Sequence, residues 1–135
     1  MEYSGLTDKI IGCCYQVYNV LGYGFLESVY EKSLSIELNK AGLNAEFQKD
    51  ILVYYDGQIV GEFKADILVE NIIIVELKSL RMLSKAHEVQ LVNYLSATQK
   101  DVGLLINFGE KSVEVKRKVR DINYYKNPVD PVNPV

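Results

Sequence analysis

The chain has 135 residues and a net charge of −3, with 48% of residues hydrophobic and 24% charged. This is the size and composition of one packed domain, not of a disordered chain, and its acidic balance excludes binding to nucleic acid through global positive charge. No stretch approaches the ~20 apolar residues of a membrane span, and Met1 to Leu6 lack the charged-then-apolar order of a secretion signal.

Thr7 or Asp8 can cap a first helix, in which Ile10, Ile11, Cys14, Val17, Tyr18 and Leu21 recur at helical spacing. Gly22-Tyr23-Gly24 ends it. Cys13 and Cys14 read as core of this helix. Adjacent cysteines rarely bridge, and two thiols without a Cys or His cluster make no zinc site, so a reducing, cytoplasmic setting is expected. A second helix spans about 25–41, with Leu26, Tyr30, Leu34 and Leu38 as its stripe and Gly42 as its stop.

The period then changes. Ile51, Val53 and Tyr55 lead into Asp56-Gly57, a strong hairpin signal, and 58–70 is the return strand. Asn71 turns the chain into a strand over 72–78, whose run Ile72-Ile73-Ile74-Val75 suits burial on both faces. Helical spacing returns over 85–99, with Val89, Val92 and Leu95 on one side. A short apolar strand covers 102–108, Gly109 turns, and 112–119 forms a fifth strand. Pro128, Pro131 and Pro134 mark 127–135 as an extended tail behind a single domain over 1–126. Two helices, a meander, a helix and two strands make a layered α/β domain.

The chemistry concentrates on the second and third strands. Strand side chains alternate, so Ile74, Glu76 and Lys78 share one face and Ile73, Val75 and Leu77 the other. A carboxylate and an ammonium in an apolar strand are costly unless partnered. Asp66 and Glu76 are equally far from the Asn71 turn, which sets them nearly opposite each other. Two such close carboxylates repel, and a divalent cation would relieve them. Oxygen ligands suit Mg²⁺ or Mn²⁺, which can activate water and stabilise charge on a phosphate oxygen, while Lys78 orients that water or neutralises developing charge. From spacing alone, an ion pair at a sheet edge is an equal reading.

The segment Gly24-Phe25-Leu26-Glu27-Ser28-Val29-Tyr30 has the pattern G-x-x-E-x-x-Y. With Ala65 to Val69, Ile74 to Lys78, Gln90 to Leu95 and Gly103 to Gly109, it resembles the GxxExxY proteins of the PD-(D/E)xK nuclease superfamily, over residues 5–120. The resemblance implies an αβββαβ core, here with an N-terminal helical pair, and a metal-dependent nuclease site. It maps Asp66, Glu76 and Lys78 to the catalytic set, although Ala65 stands where the motif has proline. Asp66, Glu76 and the Leu77 carbonyl would bind metal, with Glu27 as an added acidic ligand. Gln90 and Tyr94 match the Q-x-x-x-Y element of related nucleases, and their i, i+4 spacing puts both on one helix face. Tyr30, one turn from Glu27, is expected to pack and hydrogen-bond to it.

Arg81 and Lys85, with no acid between Lys78 and Lys85, could grip phosphate. So could the stretch 110–126, with six basic and three acidic residues. His87 reads as a helix-start residue, and Ser79 as a strand-end cap or a phosphate contact. The expected activity is phosphodiester hydrolysis, in DNA before RNA, and the small size is compatible with a homodimer. The rival reading is a catalytically silent nuclease-fold module that binds or assembles within a defence or repair complex.

Overall fold

A computed structural model describes residues 2–120 of the chain. The expected tail over 127–135 lies outside the described residues, as do Asp121 and Lys126 of the basic stretch. Two helices come first, α1 (Ser4–Leu21) and α2 (Glu27–Lys40). Strands β1 (Ala45–Tyr55), β2 (Gln58–Val69) and β3 (Ile73–Lys78) follow, then α3 (Lys85–Thr98), β4 (Val102–Phe108) and β5 (Val113–Val119). The strands form one mixed sheet in sequential order, parallel between β3 and β4 and antiparallel elsewhere. The fold is α/β, as the succession of periods implies. Among the described residues no helix is long and apolar enough to cross a membrane.

Local chemistry accounts for most boundaries. Asp56 and Gly57 both take positive φ (53° and 75°), the twist a two-residue hairpin turn requires, and Tyr55 pairs with Gln58 across it. At α3, Ser84 and His87 form a reciprocal capping box, the Ser84 N–H donating to His87 Nδ1 at 3.2 Å. His87 is therefore a capping residue, as its place at the helix start suggests.

Several details depart from the sequence reading. Helix α1 begins at Ser4, so Thr7 is not its cap; Thr7 is buried and its hydroxyl donates to the Ser4 carbonyl at 3.1 Å. Asp8 is likewise inside the helix. Leu26 precedes α2 and is exposed, whereas Tyr30, Leu34 and Leu38 of the expected stripe are buried. On α3 the buried side is Leu91, Tyr94, Leu95 and Ser96, and Val89 faces solvent. Strand β1 starts at Ala45, six residues before the first apolar residue used to recognise it, because edge pairing with β2 does not need an alternating pattern.

The sheet separates two apolar layers. Ile73, Val75 and Leu77 of β3 pack with Ile10, Val17, Tyr30 and Leu34 of the N-terminal helices. Ile74, Leu68 and Leu105 pack with Leu91 and Leu95 of α3. Tyr30 lies flat on Phe108, with ring centroids 4.2 Å apart, and locks α2 to β4. Its hydroxyl donates to the Gly22 carbonyl rather than to Glu27, so Tyr30 shapes the loop ahead of α2.

Close approach of α3 to β4 requires Gly103. A Cβ there would meet Leu91 Cδ1 at 2.9 Å and the Ile74 carbonyl oxygen at 3.2 Å. Gly103→Ala is expected to destabilise the fold by about 1–3 kcal/mol through overpacking, read as a lower denaturation midpoint at unchanged slope.

Candidate active site

The site forms where the β2–β3 ladder stops. Its last pairs are Val69↔Ile73, Leu68↔Ile74 and Ile67↔Val75. One step further on this register, Asp66 faces Glu76. There the carboxylates supply the hydrogen bonds that backbone pairing would have made. The Leu77 N–H donates to Asp66 Oδ2 at 2.7 Å, and the Asp66 N–H donates to Glu76 Oε2 at 2.9 Å.

The opposite edge of β2 is distorted at the same point. Pairing with β1 passes from Phe47↔Ile67 to Lys49↔Ala65, and the intervening Gln48 has φ 55°. Ile67 belongs to the layer under α1 and α2, yet Ala65, two residues earlier, belongs to the layer under α3. The strand's alternation is broken across Asp66. Such an interruption re-aims a side chain, which is why irregular strand pairing recurs beside active sites.

Burial sets the electrostatics. Glu76 is 6% exposed and its carboxyl is pushed up to about 8, by desolvation first and by the Asp66 charge second. The Asp66 carboxyl is also raised, chiefly by burial and further by Glu31 and Glu27, while the Leu77 N–H and Lys78 pull it back. Tyr94 is 8% exposed, and burial followed by the charges of Glu76 and Asp66 raises its hydroxyl. The carboxylate pair thus acts on Tyr94 of α3, while Glu27 of α2 acts on the pair from the other layer.

Other residues of interest are less involved. Gln90 is exposed on α3 one turn before Tyr94. Arg81 and Lys85 are exposed; Arg81 stands 4.0 Å from Glu110 and Lys85 3.7 Å from Glu88. Ser79 ties the end of β3 to the helical layer, donating to the Phe25 carbonyl at 2.7 Å. Cys13 and Cys14 are buried free thiols in α1.

Two participants escaped the sequence reading. Glu31, one turn after Glu27, adds negative charge at Asp66, and its carboxylate accepts from Gln48 Nε2 at 3.1 Å. Its i, i+4 spacing from Glu27 is the signal that could have found it. Asn107 is fully buried in β4, beside Lys78 in register. Its side chain accepts from the Leu80 N–H at 2.8 Å and donates to the Leu80 carbonyl at 2.9 Å, which pins the segment leaving Lys78. A lone amide in an apolar strand is the sign it left.

The donor set is one of hard oxygens. Asp66 and Glu76 face each other, with the Leu77 N–H held by Asp66, and this chemistry fits a small divalent cation. Among the described residues no three His, Cys, Asp or Glu side chains lie together as a ready metal cluster. Main-chain, water or substrate oxygens are therefore needed beside the pair.

The match of a sequence-family model now bears on this geometry. The model for the PD-(D/E)XK nuclease superfamily covers residues 4–118, from the start of α1 to the end of β5. The chain belongs to this superfamily. PD-(D/E)XK nucleases generally use divalent metal ions, in keeping with the oxygen donors of Asp66 and Glu76. No curated protein matches the chain. Among solved structures, the crystal structure of SSO0001 is similar in fold, with a TM-score of 0.58 at 19% identity. The match covers 92% of this chain but 62% of SSO0001, so the PD-(D/E)XK domain here spans less than two thirds of that protein.

Proposed function

We propose that this PD-(D/E)XK protein is a Mg²⁺- or Mn²⁺-dependent nuclease that hydrolyses phosphodiester bonds in DNA. One observation carries the reading. Two carboxyl groups meet face to face at a broken ladder, Glu76 buried and Asp66 partly so; desolvation raises both, the Asp66 charge adds to the rise at Glu76, and Glu31 and Glu27 add to the rise at Asp66. Such a pair is unfavourable as architecture and useful as a cation site. The motif around Glu27 and Tyr30 supports placement in the GxxExxY group, with residues 1–126 as the working domain in a cytoplasmic setting.

Asp66, Glu76 and the Leu77 carbonyl would hold the metal, with Glu27 closing the shell through water. When bound, the cation supplies an activated water and stabilises charge on the phosphate. The remaining chemistry belongs to side chains. Lys78, adjacent to the pair on β3, orients the attacking water and offsets charge as the phosphate becomes more negative. Tyr94 and Gln90 hydrogen-bond to substrate oxygens from α3. Arg81 and Lys85 attract the flanking phosphates.

Incubating the full chain with linear, circular and single-stranded DNA tests this reading. Cleavage is expected with Mn²⁺ and not with excess chelator. Intact DNA under all metal conditions, at enzyme concentrations well above substrate, would reject it.

A further inference from the structure

Two exposed aromatic rings stand on segments that flank the carboxylate pair in the chain, one in the loop before Glu27 and one on β2 before Asp66. Phe25 lies in the loop between α1 and α2, just ahead of Glu27. That loop is pinned at three points. The Tyr30 hydroxyl donates to the Gly22 carbonyl, the Phe25 N–H donates to the Tyr30 hydroxyl at 3.4 Å, and Ser79 holds the Phe25 carbonyl at 2.7 Å. Gly22 and Gly24, at φ 72° and 114°, provide the bends. Despite this, Phe25 is 46% exposed and touches Tyr30 only edge-on, at 6.2 Å between centroids. Phe63 precedes Asp66 on β2, its ring 5.6 Å from that of Tyr94, and it is 45% exposed.

Single exposed apolar residues need no explanation. These two differ because each is fixed in place, Phe63 by Tyr94 of the site and Phe25 by Tyr30 and by Ser79, which directly follows Lys78. A rigid ring open to solvent is a platform for a nucleic-acid base, and every base has a face that can stack on it.

The charge pattern narrows the substrate. A duplex would bring two phosphate backbones against Asp66, Glu76, Glu27 and Glu31. The cations on β2, β3 and the segment after it are Lys64, Lys78, Arg81 and Lys85, and of these Lys64, Arg81 and Lys85 already face Asp50, Glu110 and Glu88. Neutralising phosphates is the main source of duplex affinity, and this surface has few charges for it. Stacking can replace part of that term only where bases are unpaired.

We infer that the site takes an unpaired DNA strand, whose bases stack on Phe25 and Phe63 while a phosphate faces the carboxylates. The inference rests on the nuclease reading and specifies its substrate class. Binding is measured on the 135-residue chain carrying Lys78→Ala, so that DNA is not consumed, with a 2-aminopurine oligonucleotide and a blunt duplex of the same sequence. The single strand is expected to bind about ten-fold more tightly than the duplex, with quenched 2-aminopurine fluorescence. Phe25→Ala and Phe63→Ala should each weaken single-strand binding by roughly five- to ten-fold and reduce the quench, with duplex binding little changed. Phe25→Tyr should restore both signals, which a purely structural role for the loop would not require.

Equal losses on both DNAs, or no quench, overturn the inference. If the Lys78 wild type cleaves duplex DNA yet shows no preference for single strands, stacking is wrong and the nuclease reading stands. If wild type neither binds nor cleaves any DNA with Mn²⁺, both fall.

Discussion

Asp66→Asn and Lys78→Ala are each expected to reduce Mn²⁺-dependent DNA cleavage by about 1000-fold or more, which corresponds to roughly 4 kcal/mol of lost transition-state stabilisation. Asn at position 66 keeps the size of Asp and an oxygen that can accept from the Leu77 N–H, so the broken ladder retains its hydrogen bond. What disappears is the negative charge. The same change relieves repulsion at Glu76, whose upward shift owes part of its size to Asp66. Asp66→Asn should therefore fold at least as stably as wild type while losing activity. That opposite movement of stability and rate marks a functional charge and separates it from a structural ion pair. Cleavage within ten-fold of wild type by either variant would sink the assigned roles. DNA binding without cleavage, unchanged in both variants, would instead favour a nuclease-fold binding module.

The second large effect is on pH-dependent stability. Glu76 ionises near its ordinary value in the unfolded chain but only at about 8 in the fold. Between those pH values the folded state holds one more proton than the unfolded state. Without metal, stability must therefore fall as pH rises from about 5 to 8, with a slope approaching 1.4 kcal/mol per pH unit from this group. Below the unfolded value both states are protonated and the slope vanishes. Asp66, raised in the same direction, adds to the effect at the acidic end. Glu76→Gln should flatten the curve and raise the thermal midpoint at pH 8. Mn²⁺ should stabilise wild type more at pH 8 than at pH 6, because at pH 6 it must displace a proton, and it should stabilise Glu76→Gln far less. A metal-free melting temperature that rises over this interval would contradict the buried-carboxyl geometry.

Legibility from sequence differs between elements for physical reasons. Strand β4 is read to the residue, because an apolar run between Asp101 and Gly109 has no other use. The Asp56-Gly57 hairpin is equally plain, since few dipeptides accept two positive φ values. The start of α1 is misjudged: Tyr3 at its N-terminus makes no side-chain capping bond, so no capping residue marks it. Leu26 and Val89 look like core by periodicity and are not, because which face is buried depends on the element packed against it.

Within the site, the meeting of Asp66 and Glu76 follows from equal distances to a short turn, and the face shared by Glu76 and Lys78 follows from the two-residue strand period. Glu31, Gln48 and Asn107 were beyond that logic. Each reaches the site through a contact between elements distant in the chain.

By itself, then, the order of the residues determined the α/β class, the succession of elements and the strand positions of the acid pair and its lysine. These depend on local periodicity and turn chemistry, which act over a few residues. Tertiary structure alone decided that the ladder breaks at the acid pair, that burial holds Glu76 protonated near neutrality, and that Tyr94 and Glu27 are brought to the pair and Glu31 to Asp66. Desolvation and through-space charge depend on the whole surrounding fold, and no short window of sequence contains them.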